Sequence, residues 1–220
     1  MSYDLHVHSV YSDGNATIGE IADRAEVVGL ETIGIADHFW PCLGSQRGGM
    51  GIIKARRRDI MNAKQQHSGM QVLDAAEVDI LPDGSLAKIA GGLAQFDLII
   101  GSFHWSADST IWVSALLRAL KKPQFQILGH WDAYLTSFNE RDGRLAAETL
   151  ARSGVAIELS VRYPPNHLRF LEMAREYGCT FTVGSDSHSV KDIGRLKHLH
   201  DLTRDMRLLL ADVDDILQEQ

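Results

Sequence analysis

The 220-residue sequence predicts an α/β barrel, and three observations carry that expectation. Short apolar runs alternate with longer segments of helical pattern from one end to the other, as in parallel strands joined by crossover helices. Seven such units favour a closed barrel over an open doubly wound sheet. The length, with 45% hydrophobic and 23% charged residues, suits one ordinary globular domain over 1–220, with no linker or internal repeat.

The strands are expected at Tyr3–His8, Thr32–Asp37, Gln71–Val78, Asp97–Phe103, Gln126–Gly129, Val155–Leu159 and Thr180–Gly184. The helices that follow them are expected at Ile18–Val28, Lys54–Gln66, Leu86–Leu93, Thr110–Leu120, Arg144–Arg152 and Leu168–Tyr177. In the first helix Ile18, Ile21, Ala22, Ala25 and Val28 keep helical spacing, so one face is buried. Gly29, Gly69, Gly154 and Gly178 stand where helices end. The last stretch, Lys191 to Gln220, reads as mainly helical, with Leu199, Leu202, Met206 and Leu209 as its apolar stripe.

Composition narrows the partners. Lys and Arg number 22 against 29 Asp and Glu, a formal charge of −7 that disfavours a broad non-specific nucleic-acid surface while leaving room for a local basic groove. Cys42 and Cys179 form no C-x-x-C pair, which argues against a disulfide framework or a thiolate zinc site and fits a reducing cytoplasm. The first residues carry no signal-peptide pattern, and no stretch approaches the roughly 18 apolar residues of a membrane span. A soluble, cytoplasmic protein is expected; its oligomeric state is open.

Chemistry enters with the histidines. Six of the ten (His6, His8, His38, His104, His130 and His188) sit at or just past the C-terminal end of an expected strand. Glu77 and Asp186 occupy equivalent places, and Asp13 lies in the loop after the first strand. In an α/β barrel those strand ends form one face and host the active site, so these residues should converge. His6 and His8, two apart on a strand, point to the same side; Asp186 and His188 do so if strand geometry continues there. Burying so many polar groups without partners costs several kcal/mol each, and metal ions are the simplest compensation. Imidazole with carboxylate suits Zn²⁺, Mn²⁺ or Fe²⁺.

The motifs Asp-Leu-His6-Val-His8-Ser-Val-Tyr-Ser-Asp13-Gly, Ile-Ala-Asp37-His38, Ala-Glu77-Val-Asp-Ile-Leu-Pro-Asp-Gly, Gly-Ser-Phe-His104, Leu-Gly-His130 and Gly-Ser-Asp186-Ser-His188-Ser occur in that order over residues 4 to 189. Together they resemble the polymerase and histidinol phosphatase (PHP) superfamily. The resemblance implies a distorted (β/α)7, TIM-like barrel with two or three metal ions. His6, His8, Glu77 and Asp186 would hold the first; Glu77 would bridge to a second held by His104 and His130. Asp13, His38 and His188 would hold a third, with Asp13 where some members have histidine. Metal-activated water would then attack a phosphate ester, and His188, Asp13 or water would protonate the leaving group.

Other residues carry a bland reading beside the functional one. Arg162, just beyond the sixth strand, is either a bidentate phosphate ligand or a solvated loop residue; Arg195 has a similar choice. Glu158 ends the sixth strand, placed to orient a ligand or a substrate, and a structural role behind the ligands is the preferred reading. Phe39, Trp40, Trp105 and Trp131 each follow a motif histidine and wall the pocket or cover the rim. His67, His167, His198 and His200 read as surface residues, and Lys54, Arg56, Arg57 and Arg58 as a solvated helix face. The Arg47-Gly-Gly-Met-Gly51 segment lacks P-loop spacing and reads as a loop covering substrate.

The leading expectation is a phosphomonoesterase acting on a small phosphorylated metabolite. Nucleic-acid 3′-end processing is an alternative, because the Glu77 motif resembles the PHP domain of family X DNA polymerases. Histidinol phosphatase, a non-catalytic metal-binding module and a carbon–nitrogen hydrolase complete the set.

Overall fold

The computed structural model describes residues 2–39 and 49–218. Trp40, Cys42 and the Arg47–Gly48 part of the glycine-rich segment lie outside the described residues. In chain order the elements are β1 (Tyr3–Val7), α1 (Ile18–Val27), β2 (Thr32–His38), α2 (Met50–Gln66), β3 (Gln71–Asp79), β4 (Leu98–Ser102), α3 (Ser109–Ala119) and β5 (Ile127–Leu128). There follow α4 (Glu140–Ser153), β6 (Ala156–Ser160), α5 (Leu168–Glu176), β7 (Thr180–Gly184), α6 (Lys197–Met206), β8 (Leu209–Leu210) and α7 (Val213–Gln218).

The strands form one parallel sheet in sequence order, β1 to β8. The sheet curls back on itself at a seam. Near its C-terminal end, β1 bridges the segment after β7, with the His8 N–H donating to the Ser187 carbonyl at 2.9 Å. At the other end β8 pairs with the start of β7, Thr180 opposite Leu209, and the Tyr3 hydroxyl donates to the Ala211 carbonyl. The result is a distorted TIM-like barrel, as the family resemblance implies, with the strand–helix alternation that the sequence shows.

Helix signals in the sequence act where expected. Thr17 caps α1 in a capping box, its hydroxyl accepting from the Glu20 N–H while the Glu20 carboxylate accepts from the Thr17 N–H. Ile18, Ile21, Ala22 and Ala25 are buried against Ile33, Ile35, Ile60 and Val72. Each such isoleucine contributes about 1.5–3 kcal/mol when fully removed from water. Asn139 caps α4, and Gly154 ends it in the left-handed conformation at φ 74°. Trp112, Leu150, Phe170 and Leu171 pack beneath α3, α4 and α5.

Two stretches depart from the pattern. Leu86–Leu93 is not a helix: the chain folds back after β3, bridges Ile80 to Leu86 in antiparallel fashion and donates from Ala87 N–H to the Asp79 carbonyl. Gly91 and Gly92 then take φ of 81° and 80°, which no right-handed helix allows, and only a 3-10 turn at Leu93–Gln95 follows. The C-terminal stretch is also not one helix. Arg207 turns left-handed at φ 54°, ending α6, and Leu209–Leu210 become an eighth strand that covers the open edge of β7. Leu209 is therefore 65% exposed rather than part of an apolar stripe.

Candidate metal centre

The barrel brings the nine side chains together at one end. His6 lies on β1 and His8 just past it; His38 ends β2 and Glu77 lies near the end of β3. His104, His130, Asp186 and His188 occupy the loops after β4, β5 and β7, and Asp13 the loop after β1. Strand geometry does not continue to Asp186 and His188, so the condition for their alternation as on a strand is not met. β7 stops at Gly184 and Asp186 adopts φ 50°, yet the turn still aims Asp186 Oδ1 at His8 Nε2, 3.2 Å away. His130 is likewise at positive φ, 21°. Backbone held in this region costs of order 1–3 kcal/mol and persists only where its surroundings impose it.

Glu77 is the hub. Its Oε2 stands 3.1 Å from His6 Nε2, 3.3 Å from His38 Nε2 and 3.4 Å from His8 Nε2. Its Oε1 stands 2.8 Å from His130 Nε2 and 3.4 Å from His104 Nε2. Ligands on one ion, each bonded at about 2.0–2.2 Å, stand roughly 2.9–3.5 Å apart in tetrahedral or octahedral geometry. Most of these spacings fall in that range. His6 Nε2 and His8 Nε2 are buried and have no aligned hydrogen-bond partner despite the neighbouring oxygens. Unpartnered imidazole nitrogens this close to carboxylate oxygens fit ligation of metal ions. Among the described residues, four overlapping groups can hold one: His6–His8–Glu77, His8–Asp186–His188, His38–Glu77–His104 and His8–Asp13–His38.

Carboxylates behind the histidines fix their orientation. His6 Nδ1 faces Glu158 Oε1 at 2.8 Å, leaving Nε2 for the centre, and the second Glu158 oxygen accepts the His130 backbone N–H at 2.9 Å. Gly184 makes room for this carboxylate: a Cβ there would stand 2.3 Å from Glu158 Oε1. Asp79 does for His104 what Glu158 does for His6, with Oδ1 2.6 Å from Nδ1. Sequence reasoning assigned Asp79 no role; its signal was the two-residue spacing from Glu77, which puts both on one face of β3.

The charges are strongly coupled. Burial would raise the Glu77 carboxyl, but the His6, His38 and His104 rings hold it well below the usual carboxylate range. Burial would lower His6, yet the Glu158, Glu77 and Asp186 carboxylates keep it well above its ordinary value. His104 rises to about 10, because Glu77 and Asp79 outweigh its burial, whereas burial dominates His38 and takes it down to about 4.

The centre opens on one side. Asp13 is half exposed, and its Oδ2 pairs with His188 Nε2 at 3.0 Å. Arg162 is exposed beyond β6, lies against the Tyr163 ring and feels the fields of Asp186 and Asp13. Tyr163 and Tyr134 stand beside His130 and His104, at ring separations of 4.9 and 5.7 Å. These tyrosines were not foreseen; adjacency to Arg162 and the step of four from His130 were the available signals.

Several other expectations are corrected. Phe39 and Trp131 do not wall the site but lie in the core, against Phe96 and Phe170, and half-buried Trp105 donates to the Ile80 carbonyl. Arg195 is exposed and pairs with Asp192. His67 is buried between the Asp23 and Glu26 carboxylates of α1. Arg56 is fully buried, so the basic run is not a solvated face.

The model of the PHP domain matches residues 4–192, and the chain belongs to that family. Fold, donor set and family together make it a metal-dependent phosphoesterase. It is 27% identical to the DNA polymerase/3′-5′ exonuclease PolX of Bacillus subtilis over 88% of its length, but spans only 35% of that protein. It is 26% identical to a probable phosphatase of Aliivibrio fischeri, covering 92% of this chain and 84% of that one. Its fold matches histidinol phosphate phosphatase of Lactococcus lactis, solved with zinc, L-histidinol and phosphate, with TM-score 0.70 and 16% identity over 98% and 97% of the two chains.

Proposed function

We propose that the protein is a phosphomonoesterase acting on a small phosphorylated metabolite. The observation that carries the reading is Glu77, one carboxylate facing five imidazoles, three of which (His6, His8 and His130) keep buried nitrogens with no hydrogen-bond partner. Two or three divalent ions, Zn²⁺, Mn²⁺ or Fe²⁺, suit it. His6, His8, Glu77 and Asp186 would hold one; Glu77, His104 and His130 a second; Asp13, His38 and His188 a third. When bound, such ions activate water for attack on phosphorus and neutralise phosphate oxygens.

The chain's own residues supply the rest. Arg162, exposed at the opening, binds a phosphate oxygen as a charged donor. With the third position empty, the Asp13–His188 pair, on the solvent-facing edge, is placed to return a proton to the leaving oxygen. Glu158 and Asp79 hold His6 and His104 in the tautomer that presents Nε2. The similarity to the Aliivibrio probable phosphatase supports the phosphatase reading, and the net acidic chain favours a small substrate over nucleic acid. Similarity to PolX supports a second reading, hydrolysis at nucleic-acid 3′ ends.

Phosphate release from a panel of monoesters, diesters and DNA ends, by Mn²⁺- or Zn²⁺-loaded protein beside a His6→Ala/His8→Ala variant, separates the two. Monoester turnover absent from the variant is expected. Turnover confined to diesters or DNA ends would replace the first reading with the second.

A further inference from the structure

Behind the centre lies a buried ion network that the metal reading leaves unused. Arg56, on α2, is fully buried, and its guanidinium is engaged on every side. Nε donates to Asp37 Oδ2 at 2.6 Å, Nη1 to Asp74 Oδ1, and Nη2 to the backbone carbonyls of Ile35 and Ala75, the latter at 2.7 Å. Arg57 takes the other Asp74 oxygen at 2.7 Å. Burial of an arginine this deeply is stable only when its charge and donors are matched, as here.

Asp37 is the link to the site. Its Oδ1 accepts from the Ser9 N–H and the Ser12 hydroxyl, both at 2.7 Å, and its Oδ2 accepts from the Ser9 hydroxyl at 2.8 Å as well as from Arg56. Four donors thus fill one carboxylate, and three of them belong to the loop that ends in Asp13. The loop is tight elsewhere: the Ser12 and Gly14 N–H groups both donate to the Ser9 carbonyl, at 3.1 Å. Asp13 itself is 49% exposed, and its nearest partners are His188 at 3.0 Å, His8 at 3.6 Å and His38 at 4.0 Å. A half-exposed carboxylate gains no rigidity from packing, so its position depends on what anchors the loop. Next to Asp37 on β2, His38 faces the centre, so one strand end carries both the anchor and a ligand.

We propose that Arg56, acting through Asp37, is a positioning residue that fixes the Ser9–Gly14 loop. It thereby sets the affinity of the position formed by Asp13, His38 and His188 more strongly than that of the Glu77 positions. The inference rests on the three-ion reading above. It assigns the third position's strength to a side chain on the far side of β2, which touches no ligand atom. Loss of a residue that orients a ligand typically costs about 10–100-fold in metal affinity.

Arg56→Met and Ser12→Ala test it, the second removing one loop anchor without disturbing the buried arginine. Metal content and affinity are measured by titration of Zn²⁺ into the full chain against a chelator. Hydrogen exchange of the residue 9–14 amides is followed in the metal-free protein. Wild type should bind three ions. Both variants should keep two with much less altered affinity, weaken the third about tenfold or more in Arg56→Met and less in Ser12→Ala, and lose protection in the loop. Arg56→Lys, which keeps the charge but not the fork, should restore part of the third affinity. Equal weakening of all ions, or an unchanged third, overturns the inference. Failure of the wild type to bind a third ion overturns the three-ion reading itself. If Arg56→Met does not fold, unchanged third-ion affinity in Ser12→Ala overturns the inference.

Discussion

Glu158→Gln isolates the part that a residue behind the ligands plays in this centre. Glu158 accepts two hydrogen bonds inside the barrel, from His6 Nδ1 at 2.8 Å and from the His130 N–H at 2.9 Å, and is only 2% exposed. Glutamine has nearly the same shape but one acceptor. Whichever way the amide turns, its NH₂ meets a donor, the His6 Nδ1–H or the His130 N–H. One hydrogen bond to a charged group is lost and a buried donor is left unmatched, at about 1.5–3 kcal/mol. At about 1.4 kcal/mol per factor of ten, that is roughly a 10–100-fold loss of affinity at the positions using His6 and His130. Competition with a chromophoric chelator reads this directly, with a thermal melt to confirm folding. Zn²⁺ affinity within twofold of wild type would refute the claim that Glu158 orients these histidines.

Further predictions follow from the charge and the packing. His6 and His104 lie above their ordinary pKa values in the metal-free protein, the latter at about 10, so binding near pH 7 must expel protons. Calorimetry in buffers of different ionisation enthalpy should show that release, and metal affinity should rise between pH 6 and pH 9. For the metal-free protein the sign runs the other way: a raised folded pKa contributes stability that is present below about 6.5 and lost as pH rises through about 10. Its melting temperature should therefore fall over that window, whereas that of metal-loaded protein should not. Gly184→Ala places a Cβ 2.3 Å from Glu158 Oε1 and 3.0 Å from His6 Cβ, and should cost about 1–3 kcal/mol together with metal affinity. An unchanged melt and unchanged affinity would contradict that packing.

Much of this was legible in the sequence, for physical reasons. Parallel strands buried on both faces read as apolar runs, so Thr32–His38 and Gln71–Asp79 were found to within a residue. The nine polar residues broke those runs at their ends, where apolar side chains would otherwise serve. What stayed hidden depended on partners distant in sequence. Leu209–Leu210 is a strand only because Thr180 and Phe181 offer an open edge. Arg56 reads as surface until Asp37, Asp74 and two carbonyls close around it. Asp79 and Tyr134 gained meaning only from the histidines beside them.

The central claim is that the Glu77 cluster is a hydrolytic metal centre. Glu77→Gln removes the charge shared by five imidazoles while keeping size and shape. Phosphate release from a responsive monoester, followed with metal content in wild type and variant, is the direct measurement. The metal-loaded wild type should turn over the ester and chelation should abolish that turnover, and the variant should lose bound metal and turnover together. Turnover surviving either chelation or Glu77→Gln would contradict the claim.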